Sequence, residues 1–272
     1  MKLFVISDPH GFYGYTMKAL TKAGFFEALE KNEDCKLVVC GDLLDRGNEV
    51  EALVSFMLDL EKKGKLIYIY GNHEQLLYDC LRDISKDRIE EVTSPFSHHV
   101  QNGTWDTLLK LASMTESEGY NAPYELVERV RASRYYTELL PMTVNYYETK
   151  KYIFTHGWIP YDVTYPDCKP VYLPEWRNDD PGGWRVARWE NGMKLCCKHG
   201  VKEVGKTIVC GHWHASYGHT HIEKNGLPED GPDADYSPFY ADGIIAIDAR
   251  TAASKTVNCI VLEDEDIPVS KE

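Results

Sequence analysis

Five short segments place metal-ligating and phosphate-gripping side chains directly after apolar runs: Asp8-Pro9-His10-Gly11, Gly41-Asp42-Leu43-Leu44-Asp45-Arg46-Gly47, Gly71-Asn72-His73-Glu74, His156-Gly157 and Gly211-His212-Trp213-His214. A mixed set of carboxylates, imidazoles and a carboxamide suits Mn, Fe or Zn and differs from the all-oxygen cages that hold Ca or Mg. Two such ions about 3.5–4 Å apart turn water into a nucleophile near neutral pH and neutralise phosphoryl oxygens. The set therefore points to two-metal phosphoester hydrolysis. Taken singly, each segment is an ordinary turn or strand end, and Asn72 reads equally well as a helix N-cap. Five in this order, each at the end of an apolar run, are not what chance supplies.

Residues 3–6, 37–40, 66–70, 152–155 and 207–210 read as buried strands that deliver these segments. Helical spacing of Met17, Leu20 and Ala23, and of Val50, Leu53, Val54, Met57 and Leu58, inserts a helix between successive strands. Such crossovers imply parallel pairing, and open α/β sheets bind ligands outside the carboxyl ends of their strands. From about 75 to 140 the pattern turns helical, with breaks at Ser94-Pro95, Gln101-Asn102-Gly103 and Ala122-Pro123. A hairpin is expected across 143–155. Residues 158–205, rich in Pro, Gly and Trp, read as a long ordered loop. Strands follow at 243–247 and 257–262, and the acidic stretch 263–266 reads as a solvated tail.

The 272 residues hold 43% hydrophobic side chains, enough for one large core, and no linker separates the five segments, so a single domain over 1–272 is expected. A net charge of −13 argues against holding nucleic acid through phosphate neutralisation. Eight cysteines without a CxxC pair read as small buried residues. Nothing approaches the roughly 20 apolar residues of a membrane span, and the chain opens on a strand, so a cytoplasmic location is expected.

The order of the segments resembles the calcineurin-like metallophosphoesterases. Asp45-Arg46-Gly47 and Glu74 are similar to the phosphoprotein phosphatase branch, which includes bacterial and phage Ser/Thr protein phosphatases and symmetrical diadenosine tetraphosphate hydrolases. The resemblance implies an α/β four-layer sandwich of two mixed sheets flanked by helices, here with a helical insertion at about 75–140. It implies two divalent ions, with Mn2+ first and Fe or Zn as alternatives. Asp8, His10 and Asp42 would hold one ion, and Asp42, Asn72, His156 and His212 the other. In-line attack by a metal-bridging hydroxide would follow, with His73 as general acid, Asp45 orienting it, and Arg46 and Asn72 contacting phosphate. His214 departs from the branch pattern and is expected as a further ligand of the first ion. Arg188 is expected as a second phosphate contact, with Arg185 as the alternative.

The expected substrate is a phosphomonoester, carried by a small molecule or a phosphoprotein; the alternatives are a dinucleoside polyphosphate and a phosphodiester. A binding module that has lost its chemistry is disfavoured because the whole set is retained. No membrane partner is expected. His98 and His99 read as loop residues, His219 and His221 as solvated, and Arg129, Arg131 and Arg134 as an exposed helical face.

Overall fold

In the computed structural model, residues 1–265 are described. Their strands are β1 (Lys2–Ile6), β2 (Cys35–Val39), β3 (Leu66–Tyr68), β4 (Tyr147–Glu148), β5 (Tyr152–Phe154), β6 (Tyr161–Thr164), β7 (Lys169–Tyr172), β8 (Thr207–His214), β9 (Phe239–Ala241), β10 (Ile244–Asp248) and β11 (Cys259–Glu263). One sheet has the order β11-β1-β2-β3 and a second β4-β5-β8-β10-β9. In the first, β1, β2 and β3 run parallel and β11 antiparallel. In the second, β5, β8 and β10 run parallel between antiparallel edges. Both sheets are thus mixed, as expected.

Alternation along the strands builds the layers. Phe4 and Ile6 of β1 face a core shared with Leu20, Leu53 and Met57 of the helices Tyr13–Ala23 and Val50–Lys62. Leu3 and Val5 face the opposite way, into a core with Phe154 of β5, Val209 of β8 and Ile245 of β10. On the far side of the second sheet, Ile208 and Ile244 pack with Trp158, Trp184 and Leu195. Three cores therefore separate four layers: helices, sheet, sheet, helices. Strands buried on both faces must be apolar at every position, which is why they read as unbroken runs rather than as alternation. Each fully buried Val, Leu, Ile or Phe contributes about 1.5–3 kcal/mol, so a polar residue inside such a run would need strong compensation.

The helical insertion is present as Asn72–Ile84, Thr104–Ala112, Pro123–Ala132 and shorter pieces, broken at the three expected places. Leu77, Leu108 and Leu126 from it join the core under β1 and β2, so it forms part of the outer helical layer. Residues 158–205 depart from the expected loop. They hold the β6–β7 hairpin and the helices Pro181–Ala187 and Gly192–His199. Trp158, Trp176 and Trp184 are buried there, and the indole N–H groups of Trp158 and Trp176 donate to Val201 O and Glu203 Oε2.

The acidic tail needs a correction. Asp264 is buried and accepts from Thr149 Oγ1 at 2.8 Å and the Lys151 amide at 2.5 Å, pinning the end of β11 to the β4–β5 turn. Asp266 lies outside the described residues. Cys35, Cys40, Cys80, Cys196 and Cys210 are buried and free, as expected, whereas Cys168 and Cys197 are exposed. Among the described residues no helix is long and apolar enough to cross a membrane.

Candidate active site

The carboxyl ends of both sheets open onto one cleft. Asp8 follows β1, Asp42 follows β2, and Asn72 opens a helix just after β3; His156 follows β5 and His212 lies near the end of β8. At these exits the chain turns sharply. Asp8, His10, Asp42, Asp45, Arg46 and His212 all adopt positive φ, between 50° and 74°. Left-handed non-glycine residues are sparse in proteins and gather at functional sites, where neighbouring structure holds them. Two glycines allow the close approach: a β-carbon at Gly211 would overlap Ser7 Oγ and the Asp8 carboxylate, and one at Gly71 would overlap Asp42 Oδ1.

Asp42 sits between two groups of donors. Its Oδ2 is 3.9 Å from His10 Nε2, while its Oδ1 is 3.2 Å from His156 Nε2. Single ligand atoms of Asp42, His156 and His212 gather within 4.8 Å of one another, as do those of His10, Asp42 and His73. Asn72 Oδ1 stands 2.7 Å from His156 Nε2. Asp8 lies on the His10 side, its Oδ1 3.9 Å from His10 Nε2.

The tautomers fit metal binding. His10 Nδ1 faces the Leu44 carbonyl at 3.0 Å and His156 Nδ1 faces the Cys40 carbonyl at 2.7 Å. A carbonyl only accepts, so each Nδ1 carries the proton and each Nε2 presents a lone pair. His156 Nε2 then meets Asn72 Oδ1 and Asp42 Oδ1, three acceptors with no proton between them. A cation satisfies that arrangement and a hydrogen bond does not. On the other side, the Arg46 guanidinium supplies the positive charge, with NH1 2.9 Å from His10 Nε2. Burial, then the neighbouring Asp8 and Glu74, pushes the Asp42 carboxyl well above the usual range, and burial holds His10 and His212 well below the imidazole range. Divalent cations reverse both costs.

His73 is built differently. Its Nδ1 donates to Asp45 Oδ2 at 2.6 Å, and Thr104 Oγ1 holds the same carboxylate oxygen at 2.7 Å. Its Nε2 faces the cleft, 3.2 Å from Arg46 NH2 and 3.7 Å from Asp42 Oδ2. Burial raises Asp45 to about 6 and, with the Arg46 charge, lowers His73.

A family model described as calcineurin-like phosphoesterase matches residues 1–216. The chain belongs to the calcineurin-like phosphoesterase family. That family consists of metal-dependent phosphoric ester hydrolases, in keeping with the resemblance read from the motifs. The asymmetrical bis(5'-nucleosyl)-tetraphosphatase PrpE of Bacillus velezensis is 35% identical over 82 residues, 29% of this chain and 32% of that protein. The enzyme of the same name from Bacillus subtilis is 33% identical over 81 residues, 29% of this chain and 33% of that protein. The match thus spans about a third of these relatives' length. A cold-active protein-tyrosine phosphatase of a psychrophilic Shewanella species is 16% identical, with a TM-score of 0.48 over 96% of this chain and 75% of that one.

In this calcineurin-like phosphoesterase the remaining expected residues divide. His214 belongs to neither of the two groups gathered within 4.8 Å and is partly exposed, with Nε2 3.9 Å from Asp248 Oδ2. Arg188 stacks over Tyr70 at 4.5 Å and donates to Asn145 Oδ1 at 2.6 Å and Gln75 Oε1 at 3.3 Å. Arg185 pairs instead with Asp79 on the outside. His98 and His99 lie on the short helix His98–Gln101, not in a loop, and His99 is buried. His219 is buried and bonded to Glu223, whereas His221 is exposed and paired with Glu229. Arg129, Arg131 and Arg134 pair with neighbouring glutamates on the surface.

Two carboxylates have roles that the sequence does not show, Glu74 although it stands in one of the five segments. Glu74 accepts from the amides of Gly71, Asp42 and Leu43 and from the Tyr68 hydroxyl, at 2.6–3.0 Å, so it ties two of the candidate metal-binding loops together. Asp248 is buried at the end of β10 beside Asp8, which together with burial keeps its pKa high. An apolar run ending in Asp, the signal used for Asp8, was present there too.

Proposed function

We propose that the chain is a dinuclear-metal-dependent phosphoesterase that hydrolyses phosphomonoesters, phosphoserine and phosphothreonine in proteins among them. The observation that carries this reading is Asp42, whose two oxygens face two separate sets of acceptors. Asp8, His10 and Asp42 would hold one ion, with His214 as a further ligand, and Asp42, Asn72, His156 and His212 the other. When bound, divalent ions supply charge neutralisation on phosphoryl oxygens and a lowered pKa for water. The chain's own residues do the rest. Arg46 and Asn72 orient the phosphoryl group, the guanidinium by its planar fork. Once protonated on both ring nitrogens, His73 delivers the Nε2 proton to the leaving oxygen, and Asp45 fixes its ring and stabilises its charge. Arg188 is the second arginine at the cleft. Mn2+ as the working ion and a cytoplasmic location belong to the same reading.

A second substrate class, dinucleoside polyphosphates, is favoured by the 82-residue similarity to a bis(5'-nucleosyl)-tetraphosphatase. Purified protein with Mn2+ is expected to hydrolyse an aryl phosphate. The variant His73→Asn should lower kcat about 10²-fold or more with unchanged metal content. Full activity in that variant refutes the acid assignment. A side-by-side assay of diadenosine tetraphosphate and a phosphopeptide separates the two substrate classes.

A further inference from the structure

A cavity of about 840 Å³ is walled by Asp230, Tyr236, Ser237, Arg250, Thr256 and Asn258. It lies against the loop that carries Asp8. The Arg250 amide donates to Asp248 Oδ1 at 2.7 Å, and the hydroxyl of the next residue, Thr251, donates to the Asp8 carbonyl at 2.8 Å. His214 closes the link: its Nε2 is 3.9 Å from Asp248 Oδ2, and its ring meets that of Tyr236 at 6.4 Å. The cavity wall is therefore joined to the candidate metal-binding cleft through Asp248, Thr251 and His214.

Arg250 is the unusual residue of that wall. It adopts φ 54°, a conformation that glycine takes without strain and that arginine avoids. Its guanidinium pairs with Asp230 and reaches the Tyr236 hydroxyl at 3.4 Å. An ion pair this exposed contributes little to stability, so the fold alone does not account for a strained arginine here. In a chain of net charge −13, with NH1 engaged by Asp230 and Tyr236, the Nε–NH2 edge of this guanidinium offers two parallel donors to a phosphate. The volume suits a nucleoside, and the Tyr236 ring offers a face on which a base can stack. A phosphoserine side chain would leave the space unfilled.

We propose that this cavity is a leaving-group subsite, which takes a phosphate beyond the scissile phosphoryl group together with the nucleoside attached to it, Arg250 gripping that phosphate. The assignment rests on the phosphoesterase reading and selects its second substrate class. In the hydrolysis it serves, a water oxygen bonds to phosphorus, the phosphorus bond to the bridging oxygen breaks, and the nucleotide departs from the cavity. The released proton goes to the bridging oxygen or to solvent.

Arg250→Gly tests this without endangering the fold, because glycine suits the turn. Two quantities are to be measured in Mn2+-loaded protein: the ratio of kcat/KM for diadenosine tetraphosphate to that for an aryl phosphate, and AMP binding by calorimetry. The variant is expected to lower the ratio about tenfold and to weaken AMP by a similar factor, the loss of one charged hydrogen-bonding group. An unchanged ratio with unchanged AMP affinity overturns the subsite. A wild type that cleaves neither substrate overturns the phosphoesterase reading instead, while AMP binding that depends on Arg250 would still support the site.

Discussion

His73 shows how the meaning of a side chain is set by what it touches. Its Nδ1 is committed to Asp45, so only Nε2 can exchange a proton within the cleft. Asp45 in turn is fixed by Thr104, and neither residue can do the other's work. Removing the orienting carboxylate should therefore hurt catalysis through the histidine alone. Asp45→Asn is expected to lower kcat about tenfold to 10²-fold with little change in KM, and asparagine tolerates the left-handed backbone at 45. The double variant Asp45→Asn, His73→Asn should be no slower than His73→Asn, since residues acting as a unit are non-additive. Losses that multiply in the double variant would show that Asp45 acts by some other route.

Elements hold these residues where tight loops meet helix starts, and Glu74 is the joint. It caps its own helix through the Gly71 amide and reaches across to the amides of Asp42 and Leu43. Glu74→Gln places an N–H2 against those donors, so metal-free protein should lose about 1–3 kcal/mol in denaturant unfolding and bind Mn2+ more weakly by calorimetry. Unchanged stability and affinity would mean that the loops are set elsewhere. This joint was only half legible in sequence. The strands β1, β2 and β8 were plain because burial on both faces demands unbroken apolar runs, and the candidate ligands are the polar residues at their ends. Shorter elements gave no such signal: β9 has three residues, and the β6–β7 hairpin and the helix Pro181–Ala187 sit among prolines and glycines that read as loop. Glu74 reads as part of a motif with no visible role because its partners Asp42 and Leu43 lie 32 and 31 residues away, and Asp248 belongs to no repeated motif.

Across the whole molecule the cleft lies where two sheets with a common core end, and we propose that the chain folds as one domain whose stability is tied to cation binding. Burial and repulsion from Asp8, joined at Asp42 by Glu74, hold Asp42 and Asp248 well above the usual carboxylate range in the metal-free protein. The folded state then keeps protons that the unfolded chain, with Asp near 3.9, has released. Stability from this source is lost as pH rises toward the folded pKa values. Buried His10, His73 and His212 act oppositely: their lowered pKa values make stability rise with pH up to about 6.5, where unfolded imidazole loses its proton. Above that the carboxyl effect continues, with His219, whose pKa is raised, acting in the same sense and Cys197, whose thiol is lowered to about 7, acting in the opposite one. Chelator-treated protein should therefore lose thermal stability as pH rises from the imidazole range toward the raised carboxyl values, compared at about pH 6.5 and about pH 8. Mn2+ replaces the carboxyl protons, so saturating metal should abolish that fall and add about 2.7 kcal/mol at a hundredfold excess over Kd. Calorimetric titration at pH 7 in buffers of different ionisation enthalpy should register protons released on Mn2+ binding. A chelated protein equally stable at both pH values, and metal binding without proton release, would show that these carboxylates are already ionised in the absence of metal.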